Sequence, residues 1–219
     1  MAQPHSTSTD PIHCGCVIHG DAYDWIYVDR LYNMLKRNLS AFGTFHVWTE
    51  ADRPVPDHMV KHVLTPMPVR KGWWYKMQIF DPAHFQGNLL YFDLDTVIAG
   101  NLDWIRNCDP ANFWCVKDFL YLQSYEGWHS INSSMMWFNT QRMAPVWHQF
   151  QELGAQGYRG DQDFLQAHVG SRRYFDTNRV VSWRWQACRG IEPDASVLVF
   201  HGQPKPHEVT DPEIVTLWC

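Results

Sequence analysis

The stretch Leu89-Leu90-Tyr91-Phe92-Asp93-Leu94-Asp95-Thr96-Val97-Ile98 runs through four apolar residues into two acids and then returns to apolar sequence. An apolar run that short reads as a strand buried on both faces, the signature of a parallel sheet. Its abrupt end delivers two carboxylates to the C-terminal edge, and in open α/β sheets ligands bind at that edge. Two ionised carboxylates at i and i+2 repel each other. A hard divalent cation with oxygen ligands, Mg²⁺ or Mn²⁺, would compensate them and be shared with substrate phosphates. A bare acid pair more often caps a turn, but this one interrupts otherwise apolar sequence.

The segments upstream support the same fold class. Residues 14–19 are a short apolar run closed by Gly20-Asp21, a strand that ends in a loop. From Asp24 onward Val28, Leu31, Leu35 and Leu39 recur at helical spacing among charged residues, and a second strand follows at 45–49. This β-α-β opening predicts an α/β protein with a largely parallel sheet. Residues 1–12 are polar and read as a flexible leader. Pro54, Pro56, Pro66 and Pro68 mark a loop-rich connection, after which Trp73, Met77 and Phe80 stand at i, i+4 and i+7 and predict a helix over 71–80 with Trp73 turned to the core. Further strands are expected at 114–117, 135–139 and 197–200, and helices at 142–153 and 161–167. The 219 residues suit a single domain over 13–207, with a tail at 208–219.

Composition narrows the partners. Lys plus Arg 18 against Asp plus Glu 23 gives a net charge of −5, and the absence of a basic block excludes nucleic acid as the main partner. No apolar run of about 18 residues occurs, so no integral membrane segment or secretory signal is expected. Six cysteines without CxxC spacing suit neither a zinc site nor a disulfide scaffold, and a reducing cytoplasm is the simplest home. Twelve Trp, nine Tyr and twelve Phe exceed what a core of this size needs, which leaves flat faces for a ligand. Trp74, Tyr121, Tyr125, Trp128, Trp183 and Trp185 lie in irregular stretches and are the candidates; Trp73, Trp137, Phe138, Trp147 and Phe150 are read as core.

Four more constellations carry chemistry. Phe200-His201-Gly202-Gln203-Pro204-Lys205-Pro206-His207 follows a predicted strand and combines an imidazole, a glycine and a lysine between prolines, a loop able to close on a diphosphate. Lys76 is a single cation among aromatics. Asn132, Ser133 and Ser134 open a strand with small polar side chains suited to sugar hydroxyls. Asp161 and Gln162, after Gly160, precede an apolar run in which Asp161 also reads as a helix N-cap.

In this order the motifs resemble the GT-A fold nucleotide-sugar glycosyltransferases, particularly the glycogenin-like and bacterial lipopolysaccharide galactosyltransferase-like group. The resemblance spans residues 13–207 and implies a Rossmann-like, mixed, mostly parallel sheet flanked by helices. It implies that His19-Gly20-Asp21-Ala22-Tyr23 holds the base, mainly through His19 and Tyr23. It further implies that Lys76, Asp93, Leu94, Asp95, Asn132, Ser133, Ser134, Gly202 and Lys205 bind the nucleotide sugar, with Asp118 beside them. Asp93, Asp95 and His201 would hold Mn²⁺ (or Mg²⁺), and Asp161 and Gln162 would join the two aspartates in catalysis. Two departures stand out. The family histidine falls three residues before the loop glycine, where this chain has Val199, and Ser134 replaces a family glycine.

The implied activity is transfer of a hexose from a nucleotide diphosphate sugar, UDP-linked, to a glycan, lipid-linked or protein hydroxyl with retention, as in polysaccharide biosynthesis. Two other readings compete. Phe92-Asp93-Leu94-Asp95-Thr96-Val97 also looks like the first motif of haloacid-dehalogenase-type Mg²⁺ phosphatases, in which the first Asp is the nucleophile. Here about 90 residues precede the motif and Thr96 stands in place of a glycine. The third reading is a nucleotide-sugar or carbohydrate-binding protein without turnover.

Overall fold

Four strands, β1 (Ile12–Val17), β2 (Phe42–Thr49), β3 (Val60–Val63) and β4 (Asn88–Phe92), lie parallel side by side. The computed structural model describes residues 10–69, 71–123 and 131–219. Tyr125, Trp128 and the first nine residues of the expected leader lie outside these. β1 begins at Ile12, the last residue of that leader. It needs a glycine at its centre: a Cβ on Gly15 would stand 2.8 Å from the Trp48 ring and 3.0 Å from the His46 carbonyl oxygen.

Between β1 and β2, helix α1 (Ile26–Asn38) buries Tyr27, Val28, Leu31, Met34 and Leu35 on one face. Asp29 in its first turn and Lys36 and Arg37 in its last complement the helix dipole. Burying a side chain such as Leu31 stabilises the fold by about 1.5–3 kcal/mol relative to leaving it exposed.

After β4 come β5 (Thr96–Ile98), β6 (Phe113–Lys117), β7 (Ile131–Asn139), α2 (Thr140–Leu153), α3 (Asp161–His168), β8 (Arg172–Tyr174), β9 (Val180–Ser182), β10 (Val197–Val199) and α4 (Pro212–Leu217). The main sheet has seven strands in the order β3-β2-β1-β4-β7-β6-β8, and β5, β10 and β9 form a second, three-stranded sheet. In the main sheet β7 is antiparallel to both neighbours, while the other pairings are parallel. The chain is therefore a mixed, mostly parallel α/β sheet flanked by helices. One core lies between the sheet and α1; the other lies beneath α2, α3 and the 72–80 segment.

Segment 72–80 departs from expectation. Gly72–Phe80 is a 3₁₀ helix, three residues per turn, so Trp74, Met77 and Phe80 align and are buried, while Trp73 and Lys76 share another face. Trp73 is 48% exposed and Trp74 only 4%, the reverse of the sequence-based assignment. The segment 208–219 is also more than a tail, because α4 docks on α1. Arg37 donates to the Leu217 carbonyl at 2.9 Å, and the Arg30 guanidinium lies 3.8 Å from the centre of the Trp218 ring.

Candidate active site at the carboxyl edge of the sheet

The antiparallel course of β7 brings its first residues to the edge where β4 ends. Phe92 pairs with Met135, and the Asp93 amide donates to the Ser134 carbonyl at 2.8 Å. Asn132, Ser133 and Ser134 are thereby set beside the acid pair, all buried. The second sheet approaches the same edge, with the Phe200 amide donating to the Asp95 carbonyl at 3.1 Å.

Lys76 sits at the centre of one half of this cluster. Its ammonium lies 2.7 Å from Asp93 Oδ1 and 3.3 Å from Asp161 Oδ2, and it donates to Ser133 Oγ at 3.0 Å. Ser133 in turn donates to Asp161 Oδ2 at 2.5 Å. Asp161 is the first residue of α3, with Gly160 at the cap position, so its carboxylate is directed to Lys76 and Ser133 and the N-cap reading fails. Burial alone would lower the Lys76 pKa; Asp161 and Asp93 outweigh it and hold the ammonium above its ordinary value. Asp93 is held above the ordinary carboxylate range, chiefly by burial, with Lys76 opposing and Asp95 adding to the rise.

The other half centres on Asp95, whose Oδ2 accepts from Tyr23 Oη at 3.0 Å and from the Lys205 ammonium. Sequence reasoning missed Tyr91, which donates to Asp93 Oδ1 at 2.8 Å and is fully buried. Its spacing two residues before Asp93 was the available signal, because side chains at i and i+2 share a strand face.

These groups line a cleft of about 560 Å³ that includes Trp73, Lys76, Asp93, Asp95, Asn132, Ser134, Asp161, Gln162, His201, Gly202 and Lys205. A larger cavity of about 840 Å³, walled by Met67, Trp74, Trp147, Phe150 and Tyr158, contains neither the acid pair nor its lysines. The chemistry therefore belongs to the smaller cleft. Several expected residues sit beside it: Leu94 turns into the core, His19 stacks on Tyr75 at 3.8 Å, and Asp118 caps the next turn by accepting from the Leu120 amide at 2.8 Å. Of the candidate stacking aromatics, Trp183 is buried against Phe200 and Trp185 stands edge-on to His201 at 4.6 Å.

Asp93 and Asp95 are hard oxygen donors, each oriented by a tyrosine hydroxyl, and suit Mn²⁺ or Mg²⁺. His201 does not complete the set here. Its Nε2 is hydrogen-bonded to Ser182 Oγ at 2.7 Å, its ring stacks on Phe119, and burial lowers its pKa. Among the described residues no three His, Cys, Asp or Glu side chains converge as a metal centre, and no helix is long and apolar enough to cross a membrane. All six thiols are free.

The chain has the GT-A fold. It superposes on the galactosyltransferase LgtC, solved with donor and acceptor sugar analogues, with a TM-score of 0.67 at 13% identity over 94% of this chain and 95% of LgtC. The glycosyltransferase GlyE of Streptococcus pneumoniae matches with a TM-score of 0.69 at 13% identity over 95% of this chain, which spans 59% of GlyE. The bifunctional WbbM gives 0.64 at 13% identity over 90% of this chain and 47% of WbbM. No family model and no curated protein sequence matches.

Proposed function

We propose that this protein is a metal-dependent glycosyltransferase that moves a hexose from a UDP-linked donor to a hydroxyl acceptor with retention. The observation that carries the reading is the paired cluster at the end of β4, where Asp93 and Asp95 each meet a lysine from a different part of the chain, Lys76 and Lys205. The motif leaves β4, deep in the sheet order, and the fold is that of solved glycosyltransferases, so the phosphatase reading has only its motif left. LgtC, crystallised with donor and acceptor analogues, supports a two-sugar cleft.

In this reading Tyr23 and His19 flank the base, Lys205 and Gly202 close on the diphosphate, and Asp93 and Asp95 would hold Mn²⁺ or Mg²⁺, with His201 the candidate third ligand. A divalent ion supplies Lewis acidity to the departing phosphate. Lys205 neutralises charge that develops as the nucleotide leaves. Asn132, Ser133, Asp161 and Gln162 bond the donor-sugar hydroxyls; Lys76 fixes Asp161 and Asp93 in position. Trp73, half-exposed at the rim, offers its face to an acceptor pyranose.

The test is UDP release from UDP-hexoses in Mn²⁺. The expected result is metal-dependent release that falls about 10²–10³-fold in Asp95→Asn while the circular dichroism spectrum is unchanged. Wild-type rates in Asp95→Asn, or release of p-nitrophenol from p-nitrophenyl phosphate without UDP formation, would overturn it.

A further inference from the structure

The charge carried by the cleft does not suit the ligand proposed for it. Asp93, Asp95, Asp161 and Asp163 are four carboxylates against Lys76, Lys205 and Arg159, and all three cations already contact carboxylate oxygens. A nucleoside diphosphate brings further negative charge to this edge, and even a divalent ion leaves little positive charge over for it.

One cation beside the cleft is uncommitted. Arg184 is exposed, and its guanidinium has no hydrogen-bond or ion-pair partner among the described residues. Its position follows from strand register. β9 and β10 are parallel with Ser182 opposite Val199, so the turn leaving β9, which holds Arg184, and the loop leaving β10, which holds His201 and Gly202, start side by side. The intervening turn is fixed: the Trp183 amide donates to the Val199 carbonyl at 3.0 Å, the Trp185 amide to Ser182 Oγ at 3.1 Å, and the Trp183 ring stacks on Phe200 at 5.1 Å. Arg184 Nη1 lies 3.7 Å from where a Cβ on Gly202 would stand, and Gly202 holds φ +76°. The loop glycine thus presents bare backbone to a guanidinium, in the loop that also supplies Lys205.

We propose that Arg184 binds the terminal phosphate of the nucleoside diphosphate, acting with Lys205 across the Gly202 turn. This rests on the glycosyltransferase reading above. A guanidinium presents a rigid fork of donors that matches phosphate oxygens. Because Lys205 is shared with Asp95, Arg184 is the group that makes this edge attractive to a diphosphate.

Titration calorimetry with UDP and with UMP, in Mn²⁺, tests the assignment on wild type, Arg184→Gln and Arg184→Lys. Arg184→Gln should weaken UDP binding about 10- to 100-fold, as expected for a hydrogen bond to a charged group, and UMP binding much less. Arg184→Lys should recover part of the UDP affinity. The melting temperature of each variant should match wild type, since the side chain is exposed. Equal UDP affinity in wild type and Arg184→Gln, or equal loss for UDP and UMP, would overturn the role of Arg184. Failure of the wild type itself to bind UDP would instead overturn the donor assignment.

Discussion

Two groups of buried and half-buried polar side chains occupy different parts of the main sheet, and they solve the same problem in opposite ways. At the carboxyl edge Asp93 and Asp161 pair with Lys76. On the β1-β2-β3 flank His13, His46, His62 and His84 gather around Trp48 and Phe85 with no acid partner among the described residues. His46 Nδ1 and His62 Nε2 lie 2.8 Å apart, and the Trp48 indole donates to His84 Nδ1 at 3.2 Å. Burial, then neighbouring imidazoles, lowers His46 to about 3; burial, then His84, lowers His62 to about 4. His46 and His62 therefore favour the neutral form and act as packing, whereas the edge sets carboxylates against lysines. Desolvation is costly in both places, and only the edge carries counter-charges to offset it.

Breaking the pairing should have the largest effect. Lys76→Met leaves buried Asp161 and half-buried Asp93 without their cation, and removing one partner of a buried ion pair such as Lys76–Asp161 costs about 3–5 kcal/mol, readable as a lower urea midpoint. An unchanged midpoint would mean that the carboxylates hold their places without it.

Acid should then separate the two regions. His46 and His62 have folded pKa values below the unfolded value of about 6.5, so the unfolded chain binds the extra protons. Their contribution is complete above about pH 6.5 and is lost as the pH falls towards 4 and 3. Asp93, raised in the fold, works the other way: it favours the folded state when protonated and loses that as the pH rises past its folded value. Urea unfolding from pH 7 to pH 4 should therefore show a decline that His46→Leu flattens and Asp93→Asn does not. A decline indifferent to His46 would remove the contrast.

The smallest change in stability is expected at the rim of the cleft. Trp73→Ala should alter stability by no more than about 0.5 kcal/mol, as for most surface positions, while raising the KM for a sugar acceptor. A large drop in melting temperature would return Trp73 to the core.

The acid pair, its strand and the β-α-β opening were legible because each rests on contiguous residues whose pattern is local. The Trp73 and Trp74 roles were not: a period of 3.6 and a period of 3.0 differ little over one turn, yet they choose different faces. β3, β5, β8 and β9, three or four residues each, are too short to show a period. The union of Lys76, Ser133 and Asp161 depends on the direction of β7, which no local pattern encodes. Arg184 owes its place to strand register across the 183–196 connection, and its own neighbours in sequence gave no sign of it.

That reversed strand also ties the site to the order in which the molecule assembles. β7 is inserted between β4 and β6, both earlier in the chain, so the two halves of the sheet join only when it docks. Contacts such as Asp93 with Ser134 and Ser133 with Asp161 bridge 41 and 28 residues of chain. Long-range closures of this kind are slow steps in folding. Ligand binding at the cleft therefore reports completion of the whole sheet, and a chain ending before residue 131 would carry Asp93 and Asp95 without the serine and acid that place Lys76.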